Sequence, residues 1–296
     1  MGSAGGCIGC GRRSLRYRCC LVFAYQPEGD SATIPHFKLT RWSAVRVAFA
    51  VRAWAAIAPG LLSQKEWLQW AEAPVRPIGT TLVELPHVPP MSRRRLGRLA
   101  KMAVCVADAA LPPALGADIP VVWASRYGDA EKALALLKTQ ALDEPMSPTA
   151  FGLSVHNGIG AQHSILRGMR ANAVCVASSH GAPEAGVVEA AGLLYEGAPE
   201  VLLVCYDEPL PPDYAGFHDE PVAEYAWGVL LAIPRKDEAG FALRALEPAQ
   251  QRHDIDPVSA NLPHGLDVLH FLLQAQRQHL VHAHASGRWM WERVHA

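Results

Sequence analysis

Ser178, Ser179 and His180 stand where a strand-like sequence changes abruptly into a helix-like one. The apolar run AVCVA (173–177) precedes them, and an Ala-Pro-Glu helix start (182–184) follows. Proline in the first helical turn with an acidic residue after it is typical of a helix N-terminus. A strand, a tight turn and free helical N–H groups can present a nucleophile and stabilise an oxyanion. The pattern therefore predicts a nucleophile elbow.

The residue types at this turn leave several kinds of chemistry open. Ser178 or Ser179 could act as a hydrolase nucleophile, but the flanks lack the Gly-x-Ser-x-Gly signature of a serine elbow. His180 could act as a general base, or its side chain could simply fill the site. Cys175 lies inside the strand run, where a thiol is usually an inert core residue. No glycine-rich phosphate loop is found in the sequence, so no nucleotide cofactor is expected.

The elements that would position this turn alternate along the chain. The sequence predicts strands at 119–124, 173–177, 201–206, 225–233 and 240–246. It predicts helices at 92–111, 129–140, 182–197 and 264–280. Strands that alternate with helices are typical of an α/β layered fold.

Composition excludes some classes of protein. The chain has 296 residues, of which 50% are hydrophobic and 19% charged, with a formal net charge of −1. This balance favours a globular protein and gives no electrostatic reason to expect a nucleic acid partner. No apolar run reaches the roughly eighteen residues that a membrane span needs. The cytoplasm is the expected compartment.

The cysteines do not indicate a disulfide framework or a metal site. Four of the seven crowd the first twenty residues: Cys7, Cys10, Cys19 and Cys20. The other three stand singly in apolar runs: Cys105, Cys175 and Cys205. An odd, scattered set argues against secreted disulfides, and an adjacent second pair is a poor spacing for tetrahedral zinc.

Residues 1–45 differ in composition from the rest of the chain, with glycine, cysteine and arginine first and no clear period afterwards. We expect them to be a disordered, dispensable extension. The working domain is then 46–296.

The passage 168–197 resembles the nucleophile elbow of the β-ketoacyl synthases, which belong to the thiolase-like superfamily. Gly168-Met169-Arg170 fits the lead-in of that family, and the helix runs to Gly197 without a gap. The resemblance places His180 at the position of the catalytic cysteine. It therefore implies an elbow that lacks its nucleophile.

Three further segments resemble a short synthase-like subfamily, usually described as chain-length factors, that accompanies full synthases in aryl polyene gene clusters. They are SPTAFGLSVHN (147–157), the tryptophan-containing stretch 54–70 and WMWER (289–293). The resemblance spans about Val51 to His295. It implies a thiolase-like fold with a five-stranded mixed sheet and helices on both faces, mainly one half of the duplicated ketosynthase architecture.

The resemblance also implies where functional residues lie. Ser154, His156 and Asn157 belong to a segment that lines the acyl pocket or the dimer face, and Ala173 and Cys175 belong to the strand beside the two-fold axis. The two histidines that assist condensation in full synthases are not found as motifs. Pro263-His264-Gly265 comes nearest, and we interpret that match as coincidental.

Two functional hypotheses follow. The first is a non-catalytic chain-length factor in fatty-acid or polyketide-type biosynthesis, which forms a heterodimer with a ketosynthase. In this hypothesis the arginines at 93–98 could also contact an acyl carrier protein. The second is a free-standing acyltransferase or hydrolase that uses a remodelled elbow. The missing nucleophile favours the first hypothesis.

Overall fold

Eight strands form one mixed sheet in the computed structural model, which describes residues 46–111, 118–247, 261–284 and 287–294. The strands are β1 (Arg46–Ile57), β2 (Val121–Ser125), β3 (Ala173–Ala177), β4 (Val201–Asp207), β5 (Tyr225–Ala232), β6 (Gly240–Leu246), β7 (His279–His284) and β8 (Gly287–Val294). Their spatial order is β3-β2-β4-β5-β1-β6-β8-β7. Strand β2 is parallel to β3 and β4, and the other pairs are antiparallel.

The prediction of a five-stranded sheet was wrong, because β2 to β6 match the five predicted strands but β1, β7 and β8 were not predicted. The first residues of β1, Arg46–Phe49, pair with β6, whereas Ala50–Ile57 pair with β5. A register irregularity between Val51 and Ala53 separates the two halves. Strand β1 therefore joins the strands β3-β2-β4-β5 to the antiparallel strands β6, β8 and β7.

Helices cover both faces of the sheet, as the sequence predicted. They are α1 (Gln64–Glu72), α2 (Pro90–Arg93), α3 (Arg98–Ala110), α4 (Ala130–Ala141), α5 (Pro148–Ser154), α6 (Gly158–Arg167), α7 (Ala182–Tyr195) and α8 (His264–Leu273). Alternate residues of β4 point to different cores: Leu202 lies in the cluster with α3, and Leu203 lies in the cluster with α7 and α8. Because successive side chains of a strand point to opposite faces, each face of the sheet packs against its own apolar layer.

The end of the chain differs from the predicted helix over 264–280. Helix α8 ends at Leu273, and Leu280 lies in strand β7, where it is 3% exposed. The spacing of Leu266, Leu269, Leu273 and Leu280 fits a helix. The fit of Leu280 is coincidental, because this residue is buried as part of a strand. Strands β7 and β8 pair in antiparallel fashion in this part of the chain instead.

Three of the helices, α2, α4 and α5, contribute almost nothing to the core. Neither α4 nor α5 has a buried side chain, although α4 carries a stripe of alanine and leucine. No helix in the described ranges is long and apolar enough to cross a membrane. Residues 1–45, with the expected extension and its four cysteines, lie outside the described residues.

Candidate functional site

The predicted elbow is present, with a turn at 178–181 between β3 and α7. Gly181 is the N-cap residue of α7, and its N–H donates to Ser178 Oγ at 3.2 Å. A Cβ on Gly181 would lie 3.3 Å from Glu184 Oε2, which is tight, so a larger residue would push against a buried carboxylate. Glycine therefore lets the turn pass close to the first turn of the helix.

The elbow lies at the carboxyl edge of the parallel strands. Strands β2, β3 and β4 end at Ser125, Ala177 and Asp207, so the residues that follow each strand meet at one edge. This edge is where open α/β sheets form their clefts. Two adjoining cavities, of about 350 and 200 Å³, lie here and share Arg126, Asp207, Glu220 and Tyr225 in their walls.

His180 is held by contacts with two other segments. Its Nδ1 lies 3.3 Å from Asp219 Oδ2, and its ring stacks on that of His284 with centroids 5.5 Å apart. Its carbonyl oxygen accepts a hydrogen bond of 2.5 Å from Nε2 of His282. Burial, together with the charge of His264, lowers the pKa of His282 to about 4, so that ring is neutral at neutral pH.

Glu184, in the first turn of α7, forms a buried ion pair with His264. The distance from His264 Nε2 to Glu184 Oε1 is 2.7 Å, and Trp291 Nε1 donates to the same oxygen at 2.8 Å. Burial alone raises the pKa of Glu184, but the charge and hydrogen bond of His264 outweigh it and lower that pKa to about 2. Burial lowers the pKa of His264, but Glu184 outweighs this effect and raises it. Each shift favours the charged form of its group, as expected of an ion pair.

The structure brings together residues that the sequence analysis did not connect. His264, interpreted there as a coincidental match, contacts the elbow helix and stacks on His282 with centroids 3.3 Å apart. His282 and His284 both reach the elbow because residues two apart in a strand share a face. Their alternation in HLVHAH was the signal available in the sequence. Nothing in the sequence pairs Asp219 with His180.

Asp207 is buried at the end of β4 and carries an unusual pKa. Its Oδ1 accepts from Ser125 Oγ and from the Arg126 N–H, each at 2.9 Å, and Tyr225 Oη lies 3.2 Å from Oδ2. Burial raises the pKa of Asp207 to about 7 even though these two donors lower it. The carboxyl group is therefore partly protonated at neutral pH.

We expect Asp207→Asn to make stability less dependent on pH. The raised folded pKa means that the wild type loses about 2–3 kcal/mol of unfolding free energy from this group between pH 5 and 8. An asparagine amide copies the protonated acid, because its oxygen can accept from Ser125 and Arg126 while its NH₂ donates to Tyr225. Urea unfolding at both pH values measures the difference. A variant less stable than wild type at pH 8 contradicts the prediction.

The other predicted site residues are spread around the elbow. His156 Nε2 lies 3.3 Å from the carbonyl oxygen of Ser125, at the end of β2. Ser154 Oγ donates to the Phe151 carbonyl at 2.9 Å, and Asn157 is exposed before α6. Ser154 and Asn157 are absent from the walls of both cavities, and Ser179 is exposed at the turn.

No thiol of the described residues is activated. Burial raises the pKa of Cys175 to about 11 and also raises the pKa of Cys105 and Cys205. Ala173, by contrast, is exposed on β3, the edge strand of the sheet. Among the described residues, no three His, Cys, Asp or Glu side chains are grouped to hold a metal ion.

A layered sheet with a strand–turn–helix elbow at the end of a parallel strand defines a ketosynthase-type protein. Residues 67–292 match the family model described as β-ketoacyl synthase, N-terminal domain. The chain belongs to this family, which confirms the family resemblance of its sequence. No curated protein matches it.

Solved structures agree with this assignment. The chain is similar to one in a complex of the ketosynthase ApeO with its chain length factor ApeC from Xenorhabdus doucetiae. The TM-score is 0.70 at 26% identity, over 83% of this chain and 100% of the other. The ishigamide ketosynthase/chain length factor has a TM-score of 0.54 at 15% identity, over 67% of each chain. A β-ketoacyl synthase from Burkholderia phymatum STM815 has a TM-score of 0.51 at 14% identity, over 63% of this chain and 59% of the other.

Proposed function

We propose that this protein is a non-catalytic partner of an active ketosynthase, a chain-length factor of the aryl polyene type. The observation that carries the proposal is His180, which occupies the elbow where the family resemblance expects the catalytic cysteine. Its imidazole is already engaged by Asp219 and His284. Because condensation needs a covalent acyl-enzyme on that nucleophile, this elbow cannot start the reaction.

An ion pair in the walls of both cavities supports the same conclusion. Arg126, Asp207 and Glu220 line both of them, and Arg126 Nη1 lies 2.6 Å from Glu220 Oε1. An apolar acyl chain would have to displace this ion pair without replacing it, at a high cost in free energy. The growing chain therefore occupies the partner's cavity rather than this one.

The surface around β3 supports a partner. Strand β3 is at the edge of the sheet and pairs with β2 along one side. Helix α6 packs against β3 and α5, while α4 and α5 bury no side chain of their own. Several large apolar side chains of this region are exposed, and we call them the partner face: Leu137, Leu142, Met146, Phe151, Val155 and Ile165. Apolar surface of this kind marks a protein interface.

The complex of ApeO with its chain length factor ApeC provides the model for this assembly. By analogy, a ketosynthase subunit pairs with β3 and covers the partner face. His156, Asn157 and His180 then lie where they can affect the depth of the partner's product tunnel. Arg94 and Arg95 are exposed next to α2 and remain candidates for contact with an acyl carrier protein.

The test of the silent elbow is acyl transfer from loaded acyl carrier protein to the purified chain. We expect no acyl adduct on the elbow by intact-mass spectrometry, because the turn at 178–181 contains no cysteine that could form the thioester. His180→Cys is the informative second variant, and we expect that it does not restore condensation either. An adduct on Ser178, Ser179 or His180 of the wild type would support the acyltransferase or hydrolase hypothesis instead.

The test of the partner role is co-expression with the ketosynthase. We expect a heterodimer that survives size-exclusion chromatography. A fully active synthase that never binds this chain, with the same product length alone and in its presence, contradicts the proposal.

A further inference from the structure

Residues 208–224 connect β4 to β5, and this connection is much longer than the two strands require. Neighbouring antiparallel strands can be joined by a turn of about two residues. We call this segment the strap. Its short 3-10 helix, Pro212–Phe217, has no buried side chain, so the strap has little apolar core of its own. Long connections of this kind in compact domains usually have a function.

Polar contacts hold the strap, and they converge on two adjacent residues. Arg126, which follows β2, lies 2.7 Å from Asp219 Oδ1 and 2.6 Å from Glu220 Oε1. The elbow contributes His180, whose Nδ1 is 3.3 Å from Asp219 Oδ2. The start of α8 contributes the N–H of His264, which donates to Glu220 Oε2 at 3.0 Å.

These contacts enclose a cavity. The cavity of about 200 Å³ lies between the elbow and the strap, and its walls include Arg126, His180, Glu220 and His264. The side chain of Arg126 is 10% exposed, whereas those of Asp219 and Glu220 are 42% and 24% exposed, so salt can screen the ion pairs from the strap side. The outer part of the strap is held by the exposed pair Lys138–Asp213, at 3.0 Å, and by a hydrogen bond of 3.4 Å from Tyr127 Oη to the Phe217 carbonyl.

We infer that the strap is a lid over the elbow, latched by Asp219 and Glu220, with Arg126 as the positioning residue of the latch. The closed lid holds His180 against the strap and separates the elbow pocket from a carrier-bound acyl group. This role of the lid depends on the proposal above that the elbow is not catalytic. The latch itself is a property of this chain, so its test does not depend on a ketosynthase.

The test is hydrogen exchange of the full chain with Arg126→Met, which removes the charge and keeps much of the side-chain length. We expect exchange of the strap amides and of the His264 amide to rise about tenfold, with β4 and β5 unchanged. Sodium chloride at about 1 M should speed strap exchange in the wild type but not in the variant, because the latch is ionic. Modification of His180 by diethyl pyrocarbonate should rise in parallel.

Two further variants keep the result decisive. Lys138→Met breaks the exposed pair on the same strap and should leave exchange near the latch unchanged. If Arg126→Met does not fold, Glu220→Gln replaces it in the test. The glutamine removes one charge of the latch and keeps an acceptor for the His264 N–H. Wild-type strap exchange already as fast as in the variants overturns the inference. Equal loosening of β4 and β5, or unchanged reactivity of His180, also overturns it.

Discussion

Phe151→Glu and Ile165→Glu are each expected to weaken binding to a ketosynthase partner by about 30- to 1,000-fold. Phe151 is 58% exposed on α5, and Ile165 is 81% exposed on α6. A buried carboxylate without a partner and a lost apolar contact at an interface together cost roughly 2–4 kcal/mol, which corresponds to that factor. The fold of the free chain should not change, because both side chains face solvent in it. Biolayer interferometry with the co-purified synthase measures the affinity.

The matched controls are Ile78→Glu and Leu82→Glu. Ile78 is 81% exposed and Leu82 is 91% exposed, but both precede α2, outside the partner face. These variants add the same charge at similarly exposed apolar positions. Equal loss of affinity in all four variants would show that the effect is non-specific and that α5 and α6 do not form the interface.

Glu184→Ala is expected to destabilise the chain by about 3–5 kcal/mol. The substitution leaves His264 buried without its counter-charge and removes the acceptor for Trp291 Nε1. These contacts join α7 to α8 and to β8, so the elbow helix loses its attachment to the C-terminal part of the domain. Chemical denaturation followed by circular dichroism measures the change. Glu189→Ala serves as the control, because Glu189 lies at a more exposed position of the same helix. This substitution should cost less than about 1 kcal/mol.

The pH dependence of the Glu184–His264 pair has two limits. The folded pKa of Glu184 is lowered to about 2, so its contribution is present above the ordinary glutamate pKa and is lost as pH falls towards 2. The folded pKa of His264 is raised, so its contribution is present below the ordinary histidine pKa and is lost as pH rises through the raised value. Glu184→Gln should reduce the pH dependence of the free energy of unfolding in both the acidic and the basic range. A wild-type-like pH profile in that variant would show that the pair does not control stability.

Local sequence determined the elbow itself. The run 173–177 forms β3 and the helix start at 182–184 begins α7, because β-rich alternation and an N-terminal proline act within a few residues. The buried strand at 201–207 was equally readable from its continuous apolar run. The family followed from short motifs in the same order, which the match over 67–292 confirms.

Tertiary structure alone decided the width of the sheet and the surroundings of His180. The twelve-residue β1 was not predicted from the sequence, and only its pairing shows that it joins β5 to β6. His180 meets Asp219, His282 and His284 through side chains that are far apart in the chain. Periodicity reports which face of an element is buried, but it does not report which distant residue lies opposite that face. The contacts that set the chemistry of this elbow are therefore a property of the fold, not of the local sequence.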